Sequence, residues 1–499
     1  MASFGSYAGG AGGLGHEGQP VYSTLQQDLA PYVVELVGTF LLTMTFLCNY
    51  ASGADPTWAI TSNAFMNMAL VYSFMHISGA NFNPSVTISL LLSGRQTTRV
   101  AAKLCLAQIT GASCAAALRF KVTQVDIVIG PNEPFGWYEV GVVEVMYSAM
   151  LCFVYLNCAA SPRNNPVSNQ NGFVGLAVGF CSIAGGYAGG AISHTVLNSA
   201  IAYGIGLVDC RDGFSPTSIA YFSYDIAGAF LGAGLYRLVR PEEMTLSSAL
   251  QLDGGVDIPD RLASKISAEF IGTFYLVLTK ALNRISRAEE GAEAWSVAAA
   301  LTALVYALRD VSGAHFNPAV TLAVAASRRG ILELRTAVSQ VVVQLFAGLV
   351  ATAVFAAVGH GTDIRVRRGG IHSLSAVALA EGLFTMLTCY VVLSTGTVLP
   401  VRAKSRQNNI AGLAYGACHT VGGFSIGNIS GSLLNPAVVM SFSELSLVNL
   451  SVETFCVHYI VWQLVGAVLA VAAFVVTHPH AYATGADGSA LPLPGLQEA

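Results

Sequence analysis

Four short boxes in this chain begin with an asparagine, and each box precedes a brief apolar stretch. The boxes are Asn83-Pro84-Ser85, Asn198-Ser199-Ala200, Asn317-Pro318-Ala319 and Asn435-Pro436-Ala437. Asparagine is a favoured helix N-cap, and proline at the first helical position gives up no hydrogen bond that the helix needs. Each box therefore predicts a helix start. The asparagine amide held at that start can donate hydrogen bonds.

The apolar stretches behind the boxes are too short to cross a bilayer, which takes about 20 helical residues. They occupy residues 86–92, 201–207, 320–326 and 438–442. Two half-helices meeting from opposite faces would bring two positive dipole ends to the membrane midplane, each about half a unit charge. The asparagine amides would then donate hydrogen bonds to a solute, while the dipoles oppose cations and hydronium. A simpler interpretation is that Asn-Pro only marks the start of a helix. It would be preferred for a single box, but it does not account for four boxes at matched positions.

Composition places these boxes in a membrane protein. Of the 499 residues, 54% are hydrophobic and only 10% are charged, whereas soluble proteins carry about 25% charged residues. The mean hydropathy is +0.59, and the apolar content suffices for about a dozen spans of about 20 residues each. The net charge of −4 offers no basic field for nucleic acid.

Motifs of enzymes and metal sites find little support. The chain has no Gly-Lys dipeptide for a phosphate-binding loop and no HExxH zinc motif. Gly423-Phe424-Ser425-Ile426-Gly427 fits GxSxG, but it lies at the end of an apolar helix rather than on a strand-to-helix turn. The ten cysteines include no CxxC pair, which argues against a disulfide framework or a zinc site. We expect no enzyme activity, no cofactor and no bound metal.

The apolar segments form two groups of six, and the second group repeats the first. Asn317 follows Asn83 by 234 residues (317 − 83), and Asn435 follows Asn198 by 237 (435 − 198). Within each group, three spans and a half-helix recur, which is typical of an inverted-topology pair. The predicted organisation is a disordered N-terminal tail (1–28), a first unit (29–240), a linker (241–264), a second unit (265–477) and a polar C-terminal tail (478–499).

The stretch His76-Ile77-Ser78-Gly79-Ala80-Asn81-Phe82-Asn83-Pro84 resembles the first box of the aquaporin, or major intrinsic protein, family. The chain resembles two such units fused head to tail. This resemblance implies an all-α membrane protein with two bundles, each of six transmembrane helices plus two re-entrant half-helices around one pore. It also implies four pores per assembly, which a homodimer would complete. The implied partners are the lipid bilayer, water and small neutral solutes, with no nucleic acid.

In the aquaporin family, a constriction on the outer side of the boxes, here called the outer filter, selects the solute. Water-selective members of the family have an arginine, a histidine and aromatic side chains there, and this chain departs from that pattern. Counting from the asparagines gives Asn63, Gly186, Thr195 and Ile201 in the first unit, and Val297, Gly423, Ser432 and Val438 in the second. Without these side chains, and with glycine on the wall, the opening should be wider and less polar. We therefore predict passage of water and of glycerol, urea or ammonia. In the family the arginine also helps to exclude protons and cations, so its loss should weaken this exclusion.

Four glutamates lie inside predicted spans, where a charge costs a few kcal/mol at the helix centre. They are Glu35, Glu144, Glu269 and Glu381. The resemblance favours hydrogen bonds from the backbone of the dipping loops, and the alternative is a proton or ion relay. His76 and Asp310 occupy matching positions and are expected in the cytosolic vestibule. An Arg309–Asp310 pair explains Asp310 equally well.

Lysine and arginine are more frequent on one side of the predicted spans, which places both termini in the cytosol by the positive-inside rule. Two alternatives to a channel stay open. A twelve-span secondary transporter also uses inverted repeats and broken helices, but it needs ligands for a coupling ion, and the boxes offer only amides and apolar groups. A structural membrane protein with closed pores would keep the same packing without any flux.

Overall fold

The computed structural model describes residues 24–53, 55–122, 129–165, 171–208, 216–245, 261–285, 290–362, 364, 366, 372–398, 410–443 and 454–482. Within these residues every regular element is a helix. The chain divides into two compact units, Met1–Pro259 and Asp260–Ala499. Residues 1–23 and 483–499 of the predicted tails, and residues 246–260 of the predicted linker, lie outside the described residues.

Each unit contains six long helices and two short ones behind the boxes. The first unit has α1 (Thr24–Ala51), α2 (Pro56–Ser78), α3 (Pro84–Leu92), α4 (Thr98–Val122), α5 (Trp137–Tyr155), α6 (Val174–Ser193), α7 (Ser199–Val208), α8 (Pro216–Val239) and the one-turn α9 (Glu242–Thr245). The second has α10 (Leu262–Asn283), α11 (Glu290–Ser312), α12 (Pro318–Ala326), α13 (Leu334–Val358), α14 (Leu374–Val391), α15 (Ala411–Ser430), α16 (Pro436–Phe442) and α17 (Thr454–Thr477). A π-helical turn extends α5 and another extends α14, over Leu156–Ala160 and Val392–Gly396.

The helices pair in the same way in both units. In the first unit α1 packs on α4, α5 on α8 and α2 on α6, and in the second α10 packs on α13, α14 on α17 and α11 on α15. The half-helices α3 and α7 both pack against α4 and α8, and α12 and α16 both pack against α13 and α17. The long helices thus enclose the half-helices, which is how each bundle positions its boxes.

Nine of the described helical segments are long and apolar enough to cross a membrane. The three other long helices, α2, α8 and α15, have the length of a span but are not among these nine. Many large apolar side chains face outward; Leu106, Val468 and Val476 are 67%, 68% and 78% exposed. Such an apolar exterior suits contact with lipid, because hydrocarbon accepts apolar side chains and the helices satisfy their own backbone. The predicted all-α membrane fold is confirmed.

Two boundaries of the predicted organisation differ from the structure. Helix α1 begins at Thr24, so the last residues of the segment 1–28 are helical rather than disordered. Residues at the start of the predicted linker pack with the first unit. The Glu243 carboxylate accepts hydrogen bonds from the Arg95 guanidinium at 2.7 Å and from Ser161 Oγ at 2.6 Å. These bonds pair the buried charge of Glu243 with groups of the first unit. The first unit therefore continues past residue 240.

Small residues allow the helices to approach closely. A Cβ built on Gly111 of α4 would lie 2.2 Å from the carbonyl oxygen of Leu36 on α1. A Cβ built on Gly466 of α17 would lie 2.3 Å from the carbonyl oxygen of Gly382 on α14. Helices α1 and α4 are the outer long helices of the first inverted repeat in their unit, and α14 and α17 are those of the second inverted repeat in theirs. Glycine thus sets the separation of the helices at both places.

Gly111→Ala should destabilise the protein by about 1–3 kcal/mol, because the added methyl must push two helix backbones apart. Gly234→Ala on α8 is a matched control, since no atom lies within 4 Å of the position that its added methyl would take. We expect a lower melting temperature in detergent for the first variant and no loss for the second. Equal melting temperatures for the two variants would contradict this account of the packing.

Candidate functional site

The two boxes of the first unit meet where their half-helices begin. The side-chain amide of Asn83 donates a hydrogen bond to the carbonyl oxygen of Leu197 at 2.8 Å. The amide of Asn198 donates to the carbonyl oxygen of Phe82 at 2.9 Å. Each asparagine therefore holds the backbone residue that directly precedes the opposite asparagine. An amide nitrogen carries two N–H groups, so each side chain has a second donor beyond this crossing bond.

The second unit repeats this arrangement. The amide of Asn317 donates to the carbonyl oxygen of Leu434 at 2.8 Å, and the amide of Asn435 donates to the carbonyl oxygen of Phe316 at 2.9 Å. All four asparagines thus come together as two close pairs, one pair in each unit. Sequence reasoning brought the boxes together but did not foresee these reciprocal amide-to-carbonyl bonds.

The asparagines also cap their helices. The side-chain oxygen of Asn83 accepts a hydrogen bond from the backbone N–H of Ser85 at 2.9 Å, with extended backbone angles of −151° and 121°. The other three boxes have the same cap, to the backbone N–H of Ala200, Ala319 and Ala437 at 2.9–3.0 Å. One side chain therefore both starts its own half-helix and ties it to the opposite one.

The residue before each asparagine has a left-handed backbone conformation. Its φ angle is 51° at Phe82, 49° at Leu197, 52° at Phe316 and 54° at Leu434. Such a conformation costs about 1–2 kcal/mol for a residue with a side chain. These are the same residues whose carbonyl oxygens accept the crossing amide bonds, so the bonds help to hold the strained turns.

A serine replaces proline in the second box of the first unit, and the half-helix α7 nevertheless begins at Ser199. The hydroxyl of Ser199 lies 2.9 Å from the hydroxyl of Ser85 in the opposite box. It also donates to the side-chain oxygen of Asn83 at 3.3 Å. In the second unit the corresponding residues are Pro436 and Ala319, which have no hydroxyl. The box that lacks proline thus has hydrogen bonds to the opposite box, through the serine that stands in the place of the proline.

The first glutamate of each unit anchors the first dipping loop. Glu35 is fully buried and accepts hydrogen bonds from Ser78 Oγ at 2.7 Å and from the backbone N–H of Asn81 and Phe82 at 2.9 and 2.7 Å. Gln108 donates to the same carboxylate at 2.8 Å. Glu269 has the equivalent set of donors, namely Ser312, the backbone of His315 and Phe316, and Gln344, at 2.6–3.0 Å.

The second glutamate of each unit anchors the second loop. Glu144 accepts from Ser193 Oγ at 2.7 Å and from the backbone N–H of Val196 and Leu197 at 3.2 and 3.1 Å. Glu381 accepts from Ser430, from the backbone of Leu433 and Leu434, and from Gln463, at 2.6–3.0 Å. Every carboxylate satisfies backbone donors that water cannot reach, which is the geometry of a loop anchor.

A cavity in the first unit extends from the four counted filter positions to the boxes. Its wall includes Asn63, Gly186, Thr195 and Ile201, together with Asn83 and Asn198. Asn63 is oriented by Asn49, whose amide donates to its side-chain oxygen at 3.0 Å. The cavity therefore offers uncharged amide and hydroxyl groups along a route that ends at the paired amides.

A neighbouring side chain fills the space beside each glycine of the outer filter. This finding corrects the expectation that glycine on the wall makes the filter wider. A Cβ built on Gly186 would lie 2.5 Å from Cγ2 of Ile60 on α2, and Ile60 lines the same cavity. In the second unit a Cβ on Gly423 would lie 2.2 Å from Cβ of Ala294 on α11. A side chain of the facing helix thus occupies the room beside each glycine, so the missing side chain widens the opening less than its absence suggests.

The outer cavity of the second unit is more polar than expected. Of the counted positions, Val297, Gly423 and Ser432 line this cavity, while Val438 is buried and absent from its described wall. Lys280, Arg284, Glu293 and His419 also line this cavity. Sequence reasoning missed them because it considered only the family's filter positions. The available signal was Lys280 itself, because a lysine within an apolar span is costly and marks function.

The two expected vestibule residues lie at the ends of matching helices. His76 is exposed in the last turn of α2, and Asp310 is partly exposed near the end of α11. The guanidinium of Arg309, next to Asp310, donates to the carbonyl oxygen of Gly396 at 2.9 Å. This bond gives Arg309 a role in fixing the end of the π-helical turn behind α14.

Comparison with known proteins finds a matching family and several similar proteins. The family model for "Major intrinsic protein" matches residues 24–236, 260–375 and 370–494. A probable aquaporin-3 of Gibberella zeae is 29% identical over 247 residues, which cover 44% of this chain and 83% of that protein. Aquaporin NIP2-1 of Oryza sativa subsp. japonica is 32% identical over 225 residues, covering 43% of this chain and 72% of the relative. The X-ray structure of the aquaglyceroporin from Plasmodium falciparum is 19% identical with a TM-score of 0.39, covering 44% of this chain and 99% of that one.

The serine pair makes a prediction about coupling between the boxes. Ser85→Ala and Ser199→Ala should each destabilise the protein by about 1 kcal/mol, because each removes the hydrogen bond between the two buried hydroxyls. The double variant should cost less than the sum, and a double-mutant cycle of melting in detergent measures the difference. Strictly additive effects would contradict a hydrogen bond between the two hydroxyls.

Proposed function

This chain belongs to the major intrinsic protein family, and from that premise we propose that each of its two units forms its own passive pore for water and small neutral solutes. Membership of this family makes the chain an integral multi-pass membrane protein and a channel for water or small solutes. The finer proposal concerns the number of pores, the residues that line them and the solutes that pass.

The reciprocal asparagine bonds carry the proposal of two pores. They occur in both units with nearly equal distances, so both units have the same paired helix starts. In each pair two positive helix ends face the same point, and each asparagine has an N–H left for a solute. A water molecule that accepts both hydrogen bonds through its oxygen must turn its own hydrogens away. This orientation interrupts a chain of proton-passing waters, and the dipoles oppose cations.

The lining of the first cavity supports neutral solutes. Among the described residues, no Lys, Arg, Asp or Glu side chain is part of its wall. Asn63 and Thr195 offer hydrogen bonds, while Ile60 and Ile201 offer apolar contact to the carbon atoms of a polyol or amide. Water, glycerol and urea combine these two needs, so we propose them as solutes of the first pore.

The buried glutamates favour a channel over a coupled transporter. A coupling ion needs free carboxylate or carbonyl ligands near the midplane. Glu35, Glu144, Glu269 and Glu381 are all fully buried and accept at least three hydrogen bonds each from their own loops. We therefore propose an anchoring role for them and no ion relay.

Two further parts of the proposal concern assembly and orientation. A homodimer would give a four-pore assembly, which cross-linking in native membranes would test. The bias of basic residues favours cytosolic termini, with His76 and Asp310 at the cytosolic mouths. Protease protection of tags at the two ends would test this orientation.

Stopped-flow light scattering on proteoliposomes tests the channel proposal. The unaltered chain should pass water, glycerol and urea without saturation. Asn63→Trp and Val297→Trp place an indole at matching positions of the two outer cavities, so each should remove roughly half of the water flux and the double variant nearly all of it.

Three results would count against this proposal in different ways. Water flux with exclusion of both glycerol and urea would refute the proposed passage of these solutes through the neutral filter. Saturable flux that requires a proton or sodium gradient would favour the transporter. No flux through either unit would favour a structural protein with closed pores.

A further inference from the structure

The second unit carries a lysine near the end of its first helix, where the first unit has a phenylalanine. Lys280 follows Phe46 by 234 residues (280 − 46), the spacing of the repeat. It is 5% exposed, and its ammonium donates to the Glu293 carboxylate at 2.8 Å. It also donates to the carbonyl oxygens of Gly431 and Ser432 at 3.2 and 3.3 Å. Those carbonyls belong to the loop that enters the fourth box.

The charges around Lys280 do not cancel. Glu293 receives the Lys280 ammonium at 2.8 Å and the Arg284 guanidinium at 3.4 Å. Two cationic groups thus share one carboxylate, and all three side chains line the outer cavity. Counted over the described residues of this cavity wall, the cluster keeps one net positive charge.

A histidine adds a hydrogen-bonding group to the same cavity. His419 lies one helical turn before Gly423 on α15 and is 6% exposed. Its Nε2 has no hydrogen-bond partner among the described residues, although a buried polar atom normally has one. The corresponding residue of the first unit is Ser182, 237 positions earlier (419 − 182). An unpartnered ring nitrogen in a cavity wall is available to a solute.

We infer that Lys280 and His419 form the selectivity site of the second pore, which admits small neutral solutes that hydrogen-bond to the imidazole and rejects monovalent cations. This inference rests on the proposed function of the second unit as a pore. A fixed charge in a narrow, poorly hydrated opening acts strongly on passing ions. Lys280 supplies that charge from α10, because the fourth box is followed by Val438 and has no cation of its own.

The two pores of one chain therefore differ at their mouths. The first has Phe46, Ser182 and Asn63 at the positions of Lys280, His419 and Val297. Its wall also includes His194, but among the described residues it has no Lys, Arg, Asp or Glu. The second exchanges the phenylalanine for a cation and the serine for an imidazole. The Lys280 ammonium is held by Glu293 and two backbone carbonyls, so the charge has a fixed place in the opening rather than a mobile one.

The test uses the full-length chain in proteoliposomes with Asn63→Trp to reduce flux through the first pore. The measured quantity is the permeability ratio of methylammonium to urea. Lys280→Met should raise this ratio by about tenfold or more, because it removes the repulsion of a nearby charge. Lys280→Arg keeps the positive charge, so its methylammonium-to-urea permeability ratio should stay as low as that of the unaltered second pore. Lys265→Met removes one positive charge elsewhere on the same helix and should leave the ratio unchanged.

A second pair of variants separates charge from folding and from hydrogen bonding. Lys280→Met leaves Glu293 paired with Arg284. If that variant nevertheless fails to fold, Lys280→Met combined with Arg284→Gln and Glu293→Gln removes all three charges of the cluster and should again raise the ratio. His419→Ser, which copies the first unit, should lower urea permeability several-fold and leave methylammonium excluded.

The outcomes distinguish this inference from the channel proposal. An unchanged ratio in folded Lys280→Met protein, with urea flux intact, would overturn the inference and leave the pore itself standing. Absence of water and urea flux in the unaltered chain would overturn the channel proposal and this inference together.

Discussion

Backbone groups at membrane depth must find partners within the protein, and this requirement governs both units. The dipping loops leave the helical hydrogen-bond ladder where no water is available, and each unsatisfied group would cost several kcal/mol. Four fully buried glutamates meet this need by accepting N–H groups of the residues just ahead of each box. The asparagine amides then take the carbonyls of the same residues. The half-helices can meet tip to tip because both sides of the loop backbone are satisfied.

The elements that the sequence predicted well are those whose signal is local. The half-helices begin directly after Asn83, Asn198, Asn317 and Asn435, since capping chemistry depends on adjacent residues. The repeat spacing paired the boxes, and the length of the apolar runs separated spans from half-helices. The limits of the predicted tail and linker were less accurate, because helix α1 and the turn at Glu242–Thr245 are held by tertiary contacts that composition does not reveal.

The parts that counting could not predict depend on side chains reaching across from other helices. Gly186 suggested an open wall, but Ile60 of α2 lies against it. Val438 suggested a second opening without charge, but Lys280 reaches the adjoining loop from α10. A long flexible side chain can deliver its charge several ångströms from its own backbone. The composition of a filter therefore follows from three-dimensional neighbours and not from three or four fixed sequence offsets.

The two copies have kept the same anchors and changed the groups at the mouth, and the energetics explain this division. Replacing Glu35 or Glu269 would leave several buried backbone donors unpaired at once, so little variation is tolerated there. Exchange of Phe46 for Lys280 requires only that the new charge find a carboxylate and carbonyls nearby, which Glu293 and the loop provide. The loss of proline at Ser199 is likewise local, because the hydroxyl gains a partner in Ser85. A duplicated chain can thus alter selectivity in one unit while the frame that positions both pairs of asparagines stays intact.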